Sequence, residues 1–117
     1  MKRLVVAAGM LALASLFAPA AVAAELVFVE VKSCIYCMRF NKQVAPTYQA
    51  SEIGKRIPLR RVNLQQRWPA DLSEVDRPPY TPVFILVENG REIGRFNGYV
   101  GARQFDTNLK RLLRKSG

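Results

Sequence analysis

ELVFVEVKSCIYCMRFNKQV, residues 25–44, changes its periodicity halfway along, and the change falls on a pair of cysteines. Leu26, Val27, Phe28, Val29 and Val31 make 25–31 a β-branched and aromatic run of strand length, which reads as a buried strand. Lys32 and Ser33 turn the chain, and Ser33 is a candidate N-cap for a helix starting there. From Cys34 the spacing is helical: Phe40, Val44 and Tyr48 recur at four-residue steps and give one apolar face. Pro46 lies inside that stretch and is expected to kink or end the helix near there.

Cys34-Ile35-Tyr36-Cys37 therefore stands just after a strand and at the start of a helix. The first amides of a helix have no intrahelical acceptor and carry partial positive charge. They stabilise a thiolate, which is the nucleophile in disulfide exchange. Cys34, at the helix mouth, is the expected attacking sulfur. Cys37, one turn in, is placed to resolve a mixed disulfide formed there. As a structural staple the pair is a poor choice, because a cross-link gains most by closing a long loop. The same spelling also occurs in zinc sites, but those need further ligands. The chain holds no histidine and no third cysteine. A histidine base and a Cys–His nucleophile are thus excluded, and no metal or cofactor site is expected. Soft-ion binding by the two thiolates stays open at this point.

Beyond residue 50, the stretch 51–58 reads as a polar connection containing Gly54, and 59–64 as a second strand. Asp71 to Val75 has the makings of one helical turn within an otherwise irregular 65–77. Pro78, Pro79 and Pro82 interrupt regular structure up to a strand over 83–88. Asn89-Gly90 signals a hairpin returning through 91–96. Asn97-Gly98 marks another turn. An amphipathic helix over 102–114 closes the chain, with Phe105, Leu109, Leu112 and Leu113 on one face. The order is strand, helix, strand, irregular segment, hairpin, helix. It predicts an α/β domain with a mixed four-stranded sheet flanked by helices, its first two strands parallel. Thr81-Pro82, directly before the third strand, reads either as an ordinary strand-opening proline or as a functional X-Pro bond.

The chain has 117 residues, enough for one domain. Its first 24 are expected to be a secretory signal peptide rather than part of the fold. Lys2 and Arg3 precede an apolar run over 4–17, then Pro19 and the small residues Ala20 to Ala24. That run is shorter than the roughly 20 residues a membrane helix needs, and cleavage after Ala23 or Ala24 suits the small-residue rule. Residues 25–117 are the expected domain, exported to the periplasm. The net charge of +9 includes only Lys2 and Arg3 from the leader. Basic residues without interleaved aromatics do not make a nucleic-acid surface. A solvated face, or attraction to an acidic protein partner, accounts for them.

The layout resembles the thioredoxin superfamily over nearly all of 25–117, and more narrowly the small periplasmic thioredoxins of bacterial sulfur oxidation, the SoxS type. The residues carrying the resemblance are Ala24-Glu25-Leu26-Val27, Cys34 and Cys37, Pro46-Thr47-Tyr48, Pro58-Leu59-Arg60-Arg61-Val62, Tyr80-Thr81-Pro82-Val83-Phe84, Asn89-Gly90-Arg91-Glu92-Ile93-Gly94-Arg95 and Gly98-Tyr99. It implies that Cys34 and Cys37 are the catalytic pair. It also implies that Thr81-Pro82 is a cis-proline site offering backbone to an extended substrate, and that Gly94 or Gly98 lets the chain pass close by. The implied activity is reduction of a protein disulfide, keeping a cysteine of the Sox thiosulfate-oxidation carrier reduced, with electrons from a membrane thiol transporter. Three features depart from ordinary thioredoxin. Ile35-Tyr36 replaces Gly-Pro, Ser33 replaces a tryptophan, and Phe28 replaces the buried acid that helps deprotonate the resolving cysteine; Glu30 is the available substitute. A disulfide oxidase or isomerase, a cytochrome-maturation reductant and a soft-metal carrier are the alternative readings.

Overall fold

In a computed structural model, which describes residues 24–116, the apolar run after Ala24 forms β1 (Glu25–Glu30) inside a four-stranded sheet. The expected leader lies outside the described residues except for Ala24. Strand order is β2-β1-β3-β4. β1 runs parallel to β2 (Leu59–Asn63) and antiparallel to β3 (Val83–Glu88), which pairs with β4 (Arg91–Asn97) through the expected hairpin. Asn89 and Gly90 form its turn, with φ of 52° and 76°.

β1 and β3 are the two interior strands, and both of their faces are covered. This is why they read as apolar runs rather than as strict alternations. Leu26, Phe28, Phe84 and Leu86 face α1 (Ile35–Gln43), α2 (Ala45–Ala50) and α4 (Ala102–Leu113). Val27, Val29, Val83, Ile85 and Val87 face the other way. That second face is closed mainly by irregular chain: Leu72, Val75 and the flank of Trp68, around a single 3-10 turn at Ala70–Leu72. The Trp68 indole N–H donates to the carbonyls of Leu72 and Val75, so the covering segment is tied to itself.

Phe40 is the hub of the helical face. Its ring lies 4.6 Å from Phe28, 4.7 Å from Phe84, 5.1 Å from Phe105 and 5.7 Å from Tyr99. It thereby ties the helix bearing the cysteines to two strands and to α4. The periodic face of Phe40, Val44 and Tyr48 is buried as its spacing predicts, and so are Phe105, Leu109 and Leu112.

Several boundaries differ from the sequence reading, each for a local reason. The N-cap of α1 is Cys34, not Ser33. Pro46 does not sit within one kinked helix: α1 ends at Gln43, and Pro46 occupies the first turn of α2, where its missing N–H costs nothing. Residues 51–58 are not merely a connection, because α3 (Glu52–Arg56) forms there. Ser51 caps it by accepting the Gly54 N–H at 3.1 Å. A Cβ at Gly54 would run into the Tyr48 carbonyl, so glycine is what lets α3 fold back on the end of α2. The second strand stops at Asn63, and the turn expected over 71–75 is shorter and earlier.

The Tyr48 hydroxyl donates to the Ile57 carbonyl at 2.6 Å, and burial pushes its pKa up to about 12. In the unfolded chain it ionises near 10. Between these values the unfolded state has released a proton that the folded state keeps. Stability from this group is complete below pH ~10 and is lost as pH rises toward 12. Tyr48→Phe is expected to cost about 1 kcal/mol at neutral pH by leaving the carbonyl unpaired. It should also flatten the loss over the pH 10–12 window, as urea unfolding of both proteins across that range would measure.

Candidate active site

The C-terminal end of β1 delivers the dithiol. After Glu30 the chain turns, the Cys34 N–H donates to the Val31 carbonyl at 3.2 Å, and α1 begins. Cys34 holds the N-cap in extended geometry (φ −82°, ψ 107°). Its Sγ accepts the Cys37 N–H at 3.1 Å, the bond an N-cap side chain makes to the third residue of a helix. When the disulfide is open, the same N–H favours negative charge on that sulfur. No acid in the first turn of α1 competes for the dipole. Cys34 and Cys37 are joined as a disulfide, with Cα atoms 5.1 Å apart. They differ in access: Cys37 is 1% exposed and packs in the core, whereas Cys34 is half-buried. Around them stand exposed apolar side chains, Ile35, Tyr36 and Met38.

Thr81-Pro82 comes to the same end of the sheet. Val83 pairs with Val29, so Pro82 lies level with the end of β1, where the chain turns toward Cys34. The Thr81–Pro82 bond is cis. Pro82 is buried, and its carbonyl accepts the Gly98 N–H at 2.8 Å. Thr81 is half-buried, and neither its N–H nor its carbonyl has a backbone partner among the described residues. Gly98 is required for its φ of 80° rather than for close passage, since a Cβ there would meet open space. Gly94 is the glycine with a tight neighbour: a Cβ would fall 2.7 Å from Leu112 of α4, away from the cysteines.

Phe28 is fully buried among Phe40 and Phe84, so no acid lies at that point of β1. Glu30 is already engaged. Its carboxylate accepts from Asn41 at 3.1 Å and pairs with Arg61 at 2.9 Å. Asn41 comes one helical turn after Cys37 on α1. Tyr36, Arg39 and Gln43 line a groove with Tyr99, Val100 and Gly101, and the sequence reading singled out neither Arg39 nor Gln43. Their spacing on α1 was legible; that residues 99–101 lie opposite was not.

An interior strand that ends in a dithiol at a helix N-terminus, with an unpartnered backbone segment at the same sheet end, defines a protein of dithiol–disulfide exchange. Comparisons with protein-family models and with curated protein sequences returned no match. Solved structures do match. The periplasmic thioredoxin SoxS from Paracoccus pantotrophus is 30% identical, with a TM-score of 0.75, over 80% of this chain and 99% of that one. Fasciola hepatica thioredoxin is 20% identical over 81% of this chain and 82% of its own, with a TM-score of 0.55. A poplar thioredoxin h is 17% identical over 78% and 77%, with a TM-score of 0.56; both of these speak to the fold alone. The chain belongs to the thioredoxin superfamily and is a thiol–disulfide oxidoreductase.

Proposed function

We propose that this protein is an exported disulfide reductase that keeps a cysteine on a sulfur-oxidation carrier protein reduced. The observation that carries the reading is the likeness to a periplasmic thioredoxin SoxS along 99% of that chain. In the reductive half-cycle the Cys34 thiolate attacks one sulfur of the partner disulfide. A Cys34–partner mixed disulfide forms, and the other partner sulfur leaves as a thiolate. The Cys37 thiolate then attacks the Cys34 sulfur, and the second partner thiolate leaves. The protein is left as the Cys34–Cys37 disulfide, and two electrons from a membrane thiol transporter restore the dithiol. The difference in exposure between the sulfurs supports these roles, because only the half-buried Cys34 meets a protein-sized substrate. Thr81 offers its unpartnered N–H and carbonyl to the extended segment around the partner cysteine, as an added strand would use them, and Pro82 holds it there.

The export leader in this reading ends at Ala23, one residue earlier than the 24 expected from the sequence. Ala24 is buried with the core, which favours cleavage after Ala23, with Ala21 and Ala23 as the small residues; the intact mass of the exported protein reads this directly. The reductase direction is tested by equilibrating the dithiol against glutathione or dithiothreitol. A potential near the roughly −270 mV of thioredoxin is expected. A value near the roughly −120 mV of strong dithiol oxidants would overturn it in favour of the oxidase reading. Capture of the partner on a Cys37→Ser variant in exported extracts separates a sulfur carrier from a cytochrome-maturation substrate.

A further inference from the structure

The groove beside the dithiol is lined by Tyr36, Arg39, Gln43, Tyr99, Val100 and Gly101, and encloses about 300 Å3. Its floor is fixed: buried Tyr99 donates its hydroxyl to Gln43 at 2.6 Å. One wall is Tyr36, with the Arg39 guanidinium 5.4 Å from its ring centroid. The opposite rim is Val100, 84% exposed. Tyr36 lies between the two cysteines in sequence, so this wall of the groove belongs to the dithiol segment.

The one charged residue lining the groove is the cation Arg39. Lys32 precedes the helix mouth, Arg39 stands in the middle of α1, and Arg103 occupies the first turn of α4, which has no acid. Six of the nine acids are held in ion pairs with other cations. Glu25 and Asp71 pair with Arg60, Glu30 with Arg61, Glu74 with Arg91, Glu92 with Arg95 and Asp106 with Lys110. Arg39 has no carboxylate partner among the described residues. The Arg39 guanidinium, over the face of Tyr36, carries a planar fork of donors that matches a carboxylate.

We propose that this groove is a specificity subsite for an acidic segment of the partner protein flanking its reacting cysteine, with Arg39 receiving a carboxylate and Val100 and Tyr36 covering the apolar part of the segment. The proposal rests on the exchange reading above, since the segment is delivered by the cysteine it flanks. It also gives the excess positive charge a task at the site, because complementary charge raises encounter rates and selects partners.

The test uses disulfide-linked peptides that differ only in Asp, Ser or Lys at the positions flanking the cysteine. Each rate with the reduced protein is divided by that of the Ser peptide. At low salt the Asp peptide is expected to react about tenfold faster than the Lys peptide, a preference shrinking toward unity at ~0.5 M salt. Arg39→Gln should bring the ratio close to one, and Arg39→Glu should invert it. Serine-for-cysteine versions of the peptides, titrated into the oxidised protein, should shift the amide resonances of Tyr36, Val100 and Gly101 in the same order of affinity. Rates within twofold for all three peptides, or a ratio unmoved by Arg39→Glu, would overturn the proposal. So would binding to anionic vesicles with no preference among peptides. A protein that exchanges with none of the peptides fails the exchange reading instead, and the titration then still decides the groove.

Discussion

Cys34→Ser is expected to lower the rate of partner-disulfide reduction by more than about 1,000-fold, because no other cysteine sulfur is reachable from solvent. Cys37→Ser should behave differently. The first attack survives, and the reaction stops at a mixed disulfide that accumulates one partner per chain. The remaining thiol in that variant should also titrate below the ~8.5 of a free cysteine, since the N-cap position places an amide 3.1 Å from its sulfur. Absorbance of the thiolate near 240 nm against pH reads that value, and mass spectrometry reads the trapped adduct. Equal loss in both variants with no adduct, or a thiol titrating above 8.5, would reverse the assignment of roles.

Phe40→Ala is the substitution with the largest expected effect on folding. Removing a fully buried phenylalanine from the centre of an aromatic cluster typically costs about 3–5 kcal/mol. In a domain of this size that lowers the melting temperature by roughly 15–30 °C, and it takes a large share of the few kcal/mol that hold a small domain together. The effect should reach the site as well. Phe40 seats α1 three residues after Cys37, so a loosened helix exposes the inner thiol. Alkylation of the reduced variant at Cys37 is expected to speed up at temperatures where it is still folded. A melting point within 5 °C of the parent would mean that the cluster repacks and that Phe40 is not its hub.

Tyr48 and the Arg39 groove lie on the same helical layer but act through different physics. The Tyr48 hydrogen bond is buried, so its loss appears as stability at any ionic strength. The Arg39 contact is solvent-facing and should fade with salt. Measuring both variants at two salt concentrations therefore separates a folding defect from a recognition defect.

The strand-to-helix change at residues 31–34 was legible in the sequence because its two periodicities differ so sharply. With it came the placement of Cys34 and Cys37, the parallel β1–β2 unit, the Asn89-Gly90 hairpin and the buried face of α4. These are local patterns, and the chain obeys them locally. Ser33 as a cap and 51–58 as a plain connection failed for the opposite reason. A cap is chosen by which side chain reaches the first amides, and α3 exists because Gly54 lets it approach the Tyr48 carbonyl, a contact between segments. Tertiary structure alone decided that Thr81-Pro82 stands at the end of β1, that Glu30 is held by Arg61 and Asn41, and that residues 99–101 face Arg39. Each of these joins positions far apart in sequence. Strand register and helix docking bring them together, and neither leaves a periodic signal in the chain itself.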